Sequence, residues 1–248
     1  MPDTAATWAA EPILVVSHLA KRFGSFQALK DVSMDLRSGE VLGLIGPNGS
    51  GKTTCINVMS GLYRPDGGAI RYRGRAIGTQ APHELARLGI NRTFQVPKPF
   101  KSLTVRQNVG VAARYGAGRV EPQRLWELLE FLELDSRADH LASELTSAQQ
   151  KMLDLARALA TRPRLLCVDE LGAGLNPAEL SQVAARLRQL AATGLALLVV
   201  EHLMDFVDQV TDRVVVLSAG RDIFSGSLAQ AAQDRQVVEV FLGASDGH

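Results

Sequence analysis

Gly46-Pro47-Asn48-Gly49-Ser50-Gly51-Lys52-Thr53 fits the spacing G-x-x-x-x-G-K-[ST] position for position. In front of it runs Val41-Leu42-Gly43-Leu44-Ile45, a continuous apolar segment of strand length. Behind it, Thr54 to Ser60 reads as a helix halted by Gly61. Strand, glycine-rich turn and helix in that order turn the pattern into a mechanism. Backbone N–H groups of the turn and of the helix start converge on one place, and the helix dipole favours negative charge there. The Lys52 ammonium suits terminal phosphates and the Thr53 hydroxyl suits Mg²⁺. Residues 46–53, with Thr54 beside them, are therefore expected to cradle a nucleoside polyphosphate.

The rest of the composition sets bounds. At 248 residues the chain is long enough for one large domain, or a core with a smaller lobe, around a sizeable apolar interior. A net charge of +1 makes no general case for nucleic acid, and none is expected as a partner. The charges are unevenly spread: residues 64–124 carry twelve Lys/Arg against three Asp/Glu, and residues 125–248 carry ten against eighteen. The basic middle segment suits anionic headgroups or an acidic partner, and equally a solvated face. No apolar run approaches the ~20 residues that span a bilayer. Met1 to Pro12 lacks the layout of a secretory signal and is expected to be a flexible tail, which points to a soluble cytoplasmic chain. Cys55 and Cys167 lie inside apolar elements without a second ligand nearby, so packing is their expected role.

Along the chain, Ile13–Val16, Val32–Leu36 and Ile70–Arg73 read as strands, and Gly89–Gln95 as another before Pro97 and Pro99. Leu125, Leu128, Leu129 and Leu132 recur at helical spacing after Pro122, with Trp126 expected in the core. Thr146-Ser147-Ala148-Gln149 fits a capping box opening a helix that runs to Ala160. Leu165–Val168 is a buried strand ending at Asp169-Glu170, and Asn176-Pro177-Ala178-Glu179 starts another helix. Strands follow at Leu195–Val200, Val214–Leu217 and Ile223–Phe224. Alternating strands and helices predict an α/β fold, its mostly parallel sheet covered on both faces and its ligand at the C-terminal strand ends.

Taken together, the phosphate loop, Gln95 after a strand, Leu145-Thr146-Ser147-Ala148-Gln149-Gln150 before a helix, the apolar run into Asp169-Glu170, and His202 after a strand occur in one order. That order resembles the ATP-binding subunit of an ABC transporter over essentially the whole chain. Gly89-Ile90-Asn91-Arg92-Thr93-Phe94-Gln95 and Val237-Val238-Glu239-Val240-Phe241-Leu242-Gly243 look like stretches of branched-chain amino-acid importers. The resemblance implies a P-loop NTPase core over 13–95 and 161–248, including an N-terminal antiparallel β subdomain, with a helical signature subdomain over 96–160.

It also implies roles. Asp169 would hold Mg²⁺ together with Thr53 and Gln95, Glu170 would polarise the attacking water, His202 would contact the γ-phosphate, and Phe23 would stack on adenine. Read from composition alone, Phe23 belongs in the core. Leu145, Thr146, Ser147, Ala148 and Gln149 would cap the ATP held by a second ATP-binding subunit, identical or paralogous. The implied setting is the cytoplasmic face of the inner membrane, docked on integral-membrane permease subunits through the segment around Gln95–Asn108 and served by an extracytoplasmic solute-binding protein. The expected cargo is a branched-chain amino acid or a similar small solute; an exporter subunit and a soluble non-transport ABC ATPase are the alternatives. Three stretches depart from the family pattern. Ser147 and Ala148 stand where the signature commonly has glycines, Leu171 stands where Pro usually follows the catalytic Glu, and Asn176 stands where many relatives have Asp.

Overall fold

The structure is a computed structural model, and it describes residues 11–243. Of the expected flexible tail, residues 1–10 lie outside the described residues.

Ten strands form one curled sheet in the order β5-β4-β1-β2-β10-β9-β3-β8-β7-β6. Its first part is antiparallel: β1 (Leu14–Phe23) pairs with β2 (Phe26–Leu36) and with β4 (Gly67–Tyr72), which pairs in turn with β5 (Arg75–Ala76). Its second part is parallel: β6 (Ile90–Arg92), β7 (Leu165–Asp169), β8 (Ala196–Val200), β3 (Val41–Ile45) and β9 (Arg213–Ser218) lie side by side. The antiparallel hairpin of β9 with β10 (Arg221–Gly226), and one parallel contact of β10 with β2, join the two parts.

The strand of residues 13–16 proves much longer than its sequence signal. Leu14 and Val16 are buried in alternation, but the register shifts beyond Val16, where His18 takes φ +52°, and Leu19 is the next buried residue. A bulge breaks the two-residue period, so alternation fails as a guide just where the strand continues. At the far side, the strand expected over Gly89–Gln95 stops at Arg92. The Phe94 N–H leaves the sheet for Asp154 Oδ2, 2.8 Å away on α5 (Ser147–Ala160).

The parallel strands are buried on both faces, as their unbroken apolar runs require. Leu166, Val168, Leu197 and Val199 face a cluster built by α3 (Val105–Ala112), α4 (Pro122–Phe131), α5 and α6 (Pro177–Ala192). Leu165, Cys167, Leu198 and Val200 face the cluster of α1 (Lys52–Met59), α2 (Pro82–Leu88) and the antiparallel strands. The helices of residues 105–160 thus share one continuous core with the sheet. Both cysteines are fully buried, and desolvation pushes their thiols far up, Cys167 to about 12. Trp126 departs from expectation: it is 40 % exposed, its indole N–H donating to Glu130 Oε1 at 2.7 Å one helical turn on. Helical spacing placed Leu125 and Leu129 inside, and Trp126 falls on the neighbouring, solvent-facing position.

Candidate active site

Because β3, β7, β8 and β6 run parallel, the loops that follow them gather along one edge of the sheet. The 46–51 loop follows β3. Its turn uses φ +147° at Gly46, +77° at Gly49 and +111° at Gly51, a region that L side chains avoid. At Gly51 a Cβ would also meet Leu29 Cδ2 at 2.8 Å and the Ala28 carbonyl at 2.9 Å, so the loop is seated directly on β2. Gly51 starts α1 without any side-chain cap, which leaves the first-turn N–H groups for an outside acceptor. Lys52 lies across the loop, Nζ donating to the Gly46 carbonyl at 2.8 Å and the Pro47 carbonyl at 3.0 Å. Burial lowers its pKa, and the nearby Glu170 and Asp169 charges work against that shift.

The next edge of the site is made of side chains from separate strands. Asp169 ends β7 and is 4 % exposed; beside it Arg92 ends β6 and is 8 % exposed. Their ion pair measures 2.7 Å. The same guanidinium donates to Asn57 Oδ1 at 2.6 Å and Ser60 Oγ at 3.0 Å, tying β6 and β7 to α1. It also stacks 4.7 Å over the Phe94 ring. Burial raises the Asp169 pKa and Arg92 opposes the rise. Arg92 was hidden in the sequence: a lone arginine in a basic segment reads as surface, and only the pairing of β6 with β7 brings it to Asp169.

Glu170 follows directly, at the left-handed φ of +46°, and the Gln95 side-chain amide donates to its carboxylate. Two residues widely separated in sequence are thus brought into contact beside the phosphate loop. His202 lies two residues past Val200, the register partner of Asp169. It is exposed, and among the described residues its ring makes no hydrogen bond to Glu170 or the loop. Phe23 is not in the core: it is 42 % exposed at the end of β1, edge-on to Tyr63 at 5.2 Å between centroids. Thr146 and Ser147 are exposed at the start of α5, where Thr146 Oγ1 accepts the Gln149 N–H at 3.2 Å and Gln149 Oε1 accepts the Thr146 N–H at 3.1 Å. Leu145 is buried beneath this tip. A roomy cleft of about 630 Å³, lined by Ser38, Arg73 and Arg164, lies at the starts of the parallel strands, away from this chemistry.

The residues present suit a triphosphate with Mg²⁺. Thr53 lies on the first turn of α1, Asp169 and Glu170 are near enough to act on the Lys52 charge, Gln95 meets Glu170, and the buried Ser50 Oγ has no hydrogen-bond partner. With one fixed carboxylate and otherwise neutral donors, a magnesium ion would be held largely through the phosphates themselves.

Residues 29–173, more than half of the chain, match the ABC transporter family. A probable branched-chain amino acid transport ATP-binding protein of Archaeoglobus fulgidus is 40 % identical, over 94 % of this chain and 96 % of the relative. A high-affinity branched-chain amino acid transport ATP-binding protein of Pseudomonas aeruginosa is 35 % identical, over 94 % and 99 %. Among solved structures, a nucleotide-free ATP-binding cassette from an ABC transporter superposes with a TM-score of 0.85 at 33 % identity, covering 93 % of this chain and 99 % of that one. A dimeric cassette in a post-hydrolysis state with ADP and Pi superposes at 0.78 and 25 % identity, covering 87 % and 98 %. The chain belongs to the ATP-binding subunits of the ABC transporter family and is an ATPase of that type.

Proposed function

We propose that this chain hydrolyses ATP with Mg²⁺ to drive import of branched-chain amino acids, or of a similar small hydrophobic or carboxylated solute, through integral-membrane permease subunits. The observation that carries the catalytic reading is the Gln95–Glu170 contact beside the Lys52 loop. The cargo reading rests on relatives that are 35 % and 40 % identical over nearly their full length and are branched-chain amino acid transport ATP-binding proteins.

In this reading the loop N–H groups and Lys52 grip the β- and γ-phosphates, and Phe23 stacks on the adenine. Magnesium neutralises phosphate charge when bound, with Thr53, Asp169 and Gln95 as the chain's donors. Glu170 accepts a proton from the attacking water, and His202 meets the γ-phosphate once the site is closed. Phosphoryl transfer asks for positioning and charge stabilisation more than covalent chemistry, so the site can be divided between subunits. A second ATP-binding subunit supplies the other half: the exposed α5 tip, Leu145 to Gln149, presents N–H groups to a partner's γ-phosphate. ATP then bridges the two subunits, and its hydrolysis releases them. No helix of the described residues is long and apolar enough to cross a membrane. In this reading the chain meets the inner face of the membrane through the permease.

The test is reconstitution with copurified permease subunits and a solute-binding protein. ATP-dependent uptake of labelled leucine, absent with Glu170→Gln, supports the proposal. Assembly with permeases that move neither branched-chain amino acids nor any similar small hydrophobic or carboxylated solute would overturn the cargo assignment.

A further inference from the structure

The backbone of residues 170–173 is held from two sides by charged groups that the scheme above leaves idle. Lys151, on the second turn of α5, is 6 % exposed. Its Nζ donates to the Leu171 carbonyl at 3.0 Å, to the Ala173 carbonyl, and to the Glu170 carbonyl at 3.4 Å. Glu201, at the end of β8, is fully buried, and its Oε1 accepts the Gly172 N–H at 2.7 Å. Its other oxygen takes the His202 N–H at 3.4 Å. One ammonium therefore collects the loop's carbonyls while one carboxylate holds the N–H between them. Gly172 has no room for a side chain, since a Cβ there would meet Leu180 Cδ2 at 2.8 Å and Glu201 Oε1 at 3.2 Å.

Such a clamp has something to hold. Glu170 is a non-glycine residue at φ +46°, a conformation that persists only where its surroundings over-determine it. The backbone adds three bonds of its own: the Glu170 N–H to the Val200 carbonyl at 2.9 Å, the Leu175 N–H to the Gly172 carbonyl at 3.1 Å and the Ala173 N–H to the Glu170 carbonyl at 3.4 Å. That leaves the Leu171 and Ala173 carbonyls and the Gly172 N–H to Lys151 and Glu201.

We propose that Lys151 and Glu201 are positioning residues that clamp the 170–173 backbone and so aim the Glu170 carboxylate for hydrolysis. This rests on the reading of Glu170 as the residue that activates water. Lys151 lies within two turns of the α5 tip, so the helix proposed to cap a partner's nucleotide also holds its own subunit's Glu170 loop. A misplacement of about 1 Å at a reacting group can lower a rate by roughly 10²-fold, which sets the scale for loss of the clamp.

The experiment uses the full chain in its assembled transporter. Lys151→Met should lower kcat by about 10- to 100-fold, leave ATP affinity and KM within about twofold, and regain most of the rate as Lys151→Arg. Lys151→Gln, too short to span the carbonyls, should behave like Lys151→Met and takes its place if that variant does not fold. Placed on Glu170→Gln, the Lys151 change should cost nothing further, because both act through one carboxylate. Hydrogen exchange at the Gly172 amide should quicken in Lys151→Met and in Glu201→Ala. Parent kcat in the Lys151 variants, equal losses in the presence and absence of the Glu170 carboxylate, or unchanged exchange at Gly172 would each overturn the clamp. Parent turnover by Glu170→Gln alone would overturn the assignment of Glu170 instead, and the exchange measurement would still judge the clamp.

Discussion

The two edges of the site are built on opposite plans. The phosphate loop is contiguous: eight successive residues supply its glycine backbone angles and its one lysine, on a seat formed by β2. The edge facing it is assembled from side chains at the ends of β6, β7 and β8, with α5 reaching in through Lys151 and Asp154. The first binds through fixed main-chain donors. The second arranges carboxylates, which must be aimed and kept charged among buried neighbours. On the proposed reading, binding falls where local sequence fixes the geometry, and catalysis where tertiary packing does.

If that division holds, substitutions on the two edges should separate. Lys52→Ala should have the largest effect, abolishing measurable ATP binding, since it removes the one cation on the loop; calorimetry or a fluorescent nucleotide checks it. Glu170→Gln should bind ATP with parent affinity and lose about 10²- to 10⁴-fold in turnover. A variant that lost both together would erase the distinction between the edges.

Arg92→Met sharpens it from another side. Removing the guanidinium strands Asp169 in a buried setting and leaves Asn57 and Ser60 without their donor. Breaking a buried ion pair in this way costs about 3–5 kcal/mol, so a marked fall in Tm is expected even without nucleotide. An unchanged Tm would mean that the pair is dispensable and that Asp169 is held by other means. The smallest effect is expected at Phe23→Ala. Losing one half-exposed stacking face should weaken ATP binding by about 1 kcal/mol, roughly fivefold, with no change in kcat at saturation.

The same division explains what the sequence discloses. The loop, α1 behind it, the capped start of α5 and the Asn176-Pro177 start of α6 are local signals, and the structure has each of them where the residues point. Asp169 and Glu170 stand out because a buried strand ends on them. Arg92, Lys151 and Glu201 do not, because their roles depend on which strand lies beside which. Arg92 looks like one more charge in a basic run, and Lys151 like the polar face of a helix, until β6 pairs with β7 and α5 packs against the loop that follows β7. The bulged β1 shows the same limit, because its register shifts interrupt the period that guides the eye. Trp126 is exposed for the opposite reason, since the unbroken helical period turns Leu125 and Leu129 inward and leaves the ring outside.

The central claim is that ATP held on the 46–53 loop is closed over by another subunit's α5 tip. It is tested most directly by determining the structure of the Glu170→Gln protein in its transporter with ATP and Mg²⁺ bound. The account predicts a γ-phosphate between Lys52 and the signature tip of the second ATP-binding subunit, with this chain's own Thr146–Gln149 facing the other nucleotide. A triphosphate enclosed wholly by residues of one chain, or a vacant loop at Lys52, would contradict it.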